Sequence, residues 1–242
     1  MRNRTVYRAS VFLFGLLITA LATNLSAGWV ETNINGDVTR FSGGKVKSTS
    51  LNDSMWSVID TATGALTLVS PLKRSYATIT VKEFCAFIAG MMGGLSPEQQ
   101  AMMDAILKKQ QPQNLRVKRA GSGGTVAGYS TDKYQILADG VPYMEVWVST
   151  DSRLKSAYDD TVKKASLLSN EMSGCSPMSG DFDIQNTKEF RQLEEKGWIL
   201  KRVIRGEVVS EVVKLEQKKI AASEFQIPAG YRKSRLESFF GQ

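Results

Sequence analysis

From Trp29 to Thr80 the chain alternates β-prone runs with turn residues every 8 to 12 positions or so, and this spacing constrains the fold more than any other feature. The runs Trp29–Asn33, Val38–Phe41, Lys45–Leu51, Met55–Asp60, Ala65–Val69 and Lys73–Thr80 are too short for stable helices. Asn35-Gly36-Asp37, Ser42-Gly43-Gly44, Asn52-Asp53 and Thr63-Gly64 divide most of them. Tight connections of this kind join antiparallel neighbours, so a meander is expected.

The period then changes. Phe84, Phe87, Ile88 and Met91 recur at helical spacing until Gly93-Gly94. Ser96-Pro97-Glu98-Gln99 reads as a fresh helix start, and Met102, Met103, Ile106 and Leu107 continue it. A helical insertion at about 82–109 is therefore expected. Strand signals return at Leu115–Arg119, Thr125–Tyr129, Lys133–Ala138 and Tyr143–Val148, with Asp139-Gly140 as a hairpin turn. Gly121-Ser122-Gly123-Gly124 reads as a hairpin loop and not a phosphate cradle, because no helix follows it. Asp151 caps a helix from Ser152 to Met172, and Asn186 caps a shorter one ended by Gly197. Trp198–Ile204 and Glu207–Leu215 turn at Arg205-Gly206, and Phe225–Tyr231 is extended.

These elements predict an α+β fold. A curved antiparallel β-sheet of about ten strands forms an unclosed half-barrel wrapped around two or three helices. One domain covers 28–233, and 234–242 is a loose tail.

Arg2, Arg4 and Arg8 precede an apolar run from Val11 to Ala22 that is short for a membrane span. This is the pattern of a secretory signal peptide at 1–27, cleaved after Ala22 or Ala27. The mature protein is then periplasmic or secreted, with no stable membrane span. Of the net charge of +7, three positives belong to this leader. The remainder is too small and too dispersed for a nucleic-acid binder. Cys85 and Cys175 are an even pair that an oxidising compartment would join; the alternative is two buried thiols.

The chain has no His, which excludes Ser-His-Asp and Cys-His catalysis and imidazole metal sites. Two Cys cannot build a four-thiolate zinc site. Asp181 and Asp183 lack the turn Gly and terminal Glu of a calcium loop. Asp159-Asp160 and Glu194-Glu195 diverge around their helices and read as solvated faces. No catalytic residue, metal or cofactor is assigned, and the chain is not expected to be an enzyme.

Several stretches resemble a family. Ile59-Asp60 with Lys73-Arg74-Ser75-Tyr76, then Val126-Ala127-Gly128-Tyr129, Lys133-Tyr134 and Glu145-Val146-Trp147-Val148-Ser149, and last Phe225 to Tyr231, carry the likeness. Together they resemble the secreted bacterial domain-of-unknown-function family 4412, and the architecture is similar to the lipoprotein carriers LolA and LolB. The family often has a Cys where Ser130 and Thr131 stand. The carrier likeness implies an apolar cavity between sheet and helices. On the sheet its expected lining is Trp56, Ile59, Leu68, Tyr134, Met144 and Val146; on the helices it is Phe84, Phe87, Met91 and Met102. The expected occupant is a lipid or lipidated protein. The competing expectation is an envelope interaction module with a filled core.

Overall fold

In the computed structural model, which describes residues 25–51, 55–92, 98–99, 102, 114–175, 184 and 187–240, one apolar row organises the first half of the chain. Strands β1 (Leu25–Asn33), β2 (Val38–Ser42), β3 (Lys45–Thr49), β4 (Trp56–Asp60), β5 (Ala65–Ser70) and β6 (Ser75–Thr80) pair antiparallel in sequence order. Their register aligns Trp29, Phe41, Val46, Ile59, Leu66 and Ile79 as successive cross-strand partners. Strand side chains alternate faces, so the whole row lies on one side. Each such pair contributes about 0.2–1 kcal/mol.

Helix α1 (Val81–Met92) follows without a break. Thr80 and Glu83 cap it reciprocally: the Thr80 hydroxyl accepts from Glu83 N at 3.2 Å, and the Glu83 carboxylate accepts from Thr80 N at 2.7 Å. These bonds hold the Glu83 carboxyl below its ordinary range.

The second meander is β7 (Leu115–Val126), β8 (Tyr129–Ala138), β9 (Val141–Ser149) and β10 (Trp198–Ile204). Ala127-Gly128 and Asp139-Gly140 close its hairpins with positive φ at both central positions, as a tight two-residue turn requires. Between β9 and β10 come α2 (Ser152–Ala157), a π-helical turn (Tyr158–Val162), α3 (Lys163–Gly174) and α4 (Lys188–Glu194).

Strand β11 (Glu207–Ala221) joins the meanders. Its first residues pair with β10, and Val212 to Ala221 pair with β1. A 3₁₀ turn (Ala222–Phe225) then folds onto the face away from the helices. There Phe225 packs with Val58 and Ile220, and Glu224 meets Arg40 at 3.0 Å. The chain continues to β12 (Arg232–Lys233), which lies parallel to β6, and ends in α5 (Leu236–Phe240).

The sheet expected to enclose the helices does not do so. Among the described residues it has twelve strands in the order β12-β6-β5-β4-β3-β2-β1-β11-β10-β9-β8-β7 and stays open. Twelve strands span roughly 50 Å at their usual spacing. A helix of twelve residues such as α1 is about 18 Å long and covers only a few of those strands. The helices rest on the sheet instead. Leu154, Tyr158 and Val162 pack over Trp29, Phe41 and Val46. Phe190 and Leu193 cover Tyr134, Met144 and Val146, and α1 and α5 share the region of Ala77 and Ile79.

Other expectations change too. The Gly121–Gly124 run is not a loop but the bulged middle of β7, and the real turn lies at Ala127-Gly128. Gly suits both roles, which is why composition alone misassigns it. Thr187, not Asn186, caps α4, accepting from Phe190 N at 3.3 Å. The segment after Lys233 is not loose as far as Phe239: Leu236 and Phe239 are buried against β6. Residues 1–24, where the leader is expected, most of the expected second insertion helix, and Asp181 and Asp183 lie outside the described residues.

Gly197 marks a close approach. A Cβ there would lie 2.1 Å from the Ser149 carbonyl oxygen, a backbone atom that cannot swing aside. Gly197→Ala should cost about 2 kcal/mol or more, read as a lower urea midpoint with an unchanged m-value.

Candidate functional site

The eight expected lining residues with described, buried or partly buried side chains do not face a common space. Tyr134, Met144 and Val146 lie beneath α4, and Leu68, Phe84 and Phe87 pack with α5. Ile59 joins the cluster around Trp29, while Trp56 packs on the opposite face with Phe225 beneath Lys47. Met102 is exposed, and the Met91 side chain is outside the described set.

The openings are surface grooves. One of 740 Å³ runs between α1 and α5 and is lined by Ile79, Phe87 and Leu236 together with Glu83, Lys233, Arg235 and Glu237. Another of 430 Å³ lies between β7 and α4, with Val117, Tyr134 and Leu193 below Arg119, Glu189 and Gln192. Their mixed linings are unlike the mostly apolar walls of a lipid site.

The sequence gives no hint of the third feature, a charge network in which Glu194 is buried and Glu31 and Arg202 are partly buried. Glu31 on β1 accepts a hydrogen bond from the Trp198 indole, and Arg202 of β10 faces both Glu31 and Glu194. Removal from water lifts the Glu31 carboxyl to about 7, against the opposing pull of Trp198 and Arg202. Burial also raises Glu194 and lowers Arg202, because both lose hydration of their charged forms. Glu194 is buried, contrary to the solvated face expected for it, and accepts from Ser166 Oγ of α3 at 2.6 Å. Asn170 turns toward the same carboxylate, though its buried Nδ2 lacks a hydrogen bond of ordinary length. A 220 Å³ opening reaches Asn170, Glu194 and Arg202 but not Glu31. The two carboxylates therefore do not converge on one accessible space as an acid–base pair would. The network links α3 and α4 to β1 and β10, the two strands that flank β11.

Trp198 is also the centre of an aromatic cluster. Phe41 meets it edge-on at 5.3 Å, Trp29 lies at 6.3 Å, and Tyr158 of the π turn at 6.3 Å. Such pairs add about 0.5–1.5 kcal/mol each beyond their buried area. Cys85 of α1 and Cys175, just past α3, form a disulfide with Cα atoms 5.1 Å apart, tying the two helices together. Among the described residues no cluster of acids and Cys could hold a metal ion, and no helix is long and apolar enough to cross a membrane.

These features define a predominantly β protein, an open sheet dressed with helices, two of which are joined by a disulfide. The family model "Domain of unknown function (DUF4412)" matches residues 94–231, more than half of the chain, and the chain belongs to that family. The match includes β7 to β11 and the segment up to Tyr231; the first meander lies outside it. No curated protein matches the chain. Two solved structures of PNGF-II, in C2 and P21 space groups, are similar at 12% identity with TM-scores of 0.39 and 0.37. They cover 89% of this chain, which spans only 32% of theirs.

Proposed function

We infer that this chain is an exported, non-enzymatic envelope protein that works by contact with a partner, not by carrying a ligand inside it. One observation carries this reading: the residues expected to line a single cavity are divided among four separately packed clusters. Ile136, Val146, Val148 and Leu200 have no exposed surface, as in a filled core. The disulfide supports export, since such bonds persist in oxidising compartments.

The structure also bears on where the leader would end. Leu25, Ser26 and Ala27 are strand residues paired with Ala221, Ile220 and Lys219. Cleavage after Ala22 leaves β1 whole, whereas cleavage after Ala27 removes its first three residues. Native mass spectrometry of protein purified from its own periplasm tests both points. The expected spectrum is a single oxidised mass beginning at Thr23, with no bound lipid and no uptake of a fluorescent fatty acid. Saturable uptake at one per chain would overturn the filled-core reading, and an uncleaved mass would overturn export.

A further inference from the structure

One margin of the sheet is guarded and the other is not. At β6, β12 pairs alongside and α5 packs against the strand. At β7, no described backbone group bonds to the outer side of Leu115–Val126. An unpaired edge is a template for another strand, and proteins commonly spoil it with bulges. The second half of β7 is spoiled in this way, with register shifts around Gly121 and Gly124. The first half is not: Leu115 to Arg119 keep unbroken one-to-one pairing with Ala138 to Tyr134.

The surroundings of that half specify an occupant. On one face runs the 430 Å³ groove, floored by Val117 and Leu193 and walled by α4. On the other face Arg116 and Lys118 are exposed, and neither has an acidic partner among the described residues; Arg119 alone is paired, to Asp132. We propose that Leu115–Arg119 accepts an extended segment of a partner protein as an additional strand. Its acidic side chains stand at alternate positions beside Arg116 and Lys118, and apolar ones between them lie over Val117. Main-chain hydrogen bonds supply the affinity and the alternating side chains the selectivity. A second copy of this chain fits poorly, because pairing β7 with β7 sets these cations against each other.

The proposal rests on the interaction reading and names its site. The probe is a capped hexapeptide of three Glu-Val repeats, titrated into the isotopically labelled, oxidised protein at low salt. Saturable amide shifts confined to β7 and α4 are expected. Methylating alternate peptide nitrogens should weaken binding at least tenfold, because the added strand then loses its donors. The double variant Arg116→Glu with Lys118→Glu should weaken it about tenfold and admit the Lys-Val counterpart instead. Absence of saturable shifts, binding indifferent to methylation, or a dimer built through β7 would each overturn the proposal. Lipid in the native spectrum would sink the filled-core reading and leave this titration unaffected, so the two ideas fail separately.

Discussion

Replacing Cys85 and Cys175 together with Ala lowers the melting temperature by roughly 10 °C, and reduction of the native protein does the same. The bond closes a loop across a sequence separation of 90. Freeing a loop of that size returns about 4–5 kcal/mol of chain entropy to the unfolded state. A domain of this size loses about 2–4 °C for each kcal/mol. The native side of the balance changes little, because Phe84 and Phe87 still hold α1 on the sheet. Calorimetry of the oxidised, reduced and doubly substituted forms provides the comparison. If all three melt within a degree or two of one another, the loop is not closed in the protein as made.

Glu31→Gln raises stability at pH 8 and flattens its dependence on pH. The folded-state value near 7 lies above the ordinary 4.5, so the native chain holds this proton where the unfolded chain releases it. The stabilisation linked to that proton is complete below about pH 4.5 and is lost as pH rises through 7. Its full span is about 3 kcal/mol. Glu194 shifts in the same direction and adds to the slope. Gln keeps an acceptor for the Trp198 indole and removes the charge, so the variant should gain about 2 kcal/mol at pH 8 and little at pH 5. Urea melts at the two pH values measure the difference; curves that stay parallel for both proteins would mean that Glu31 is ionised and hydrated in the fold.

The sheet was legible wherever a turn needed a particular residue. Asp139-Gly140 and Arg205-Gly206 announce hairpins because few residue pairs accept positive φ twice running. Asp151 was readable as a cap because its carboxylate accepts from the amide two residues on, at 2.9 Å. Where the same residue serves two purposes the reading failed, as with the glycines of β7. That the sheet stays open was not legible either, since nothing local states how many strands share one layer. The charge network was hidden for another reason. Glu31 is far in sequence from Glu194 and Arg202, and each sits in a stretch where a polar residue looks ordinary. Only the meeting of β1 with β10, through β11, brings them together.

That late junction carries a cost during biogenesis. Both meanders are built from neighbours in sequence and can organise as soon as they emerge, whereas the second edge of β1 must wait for a partner about 190 residues downstream. Until Glu207–Ala221 arrives, β1 and β10 each present a raw margin to the crowded milieu. A chain stopped short of residue 207 would therefore be expected to clump rather than persist as a smaller version of the fold.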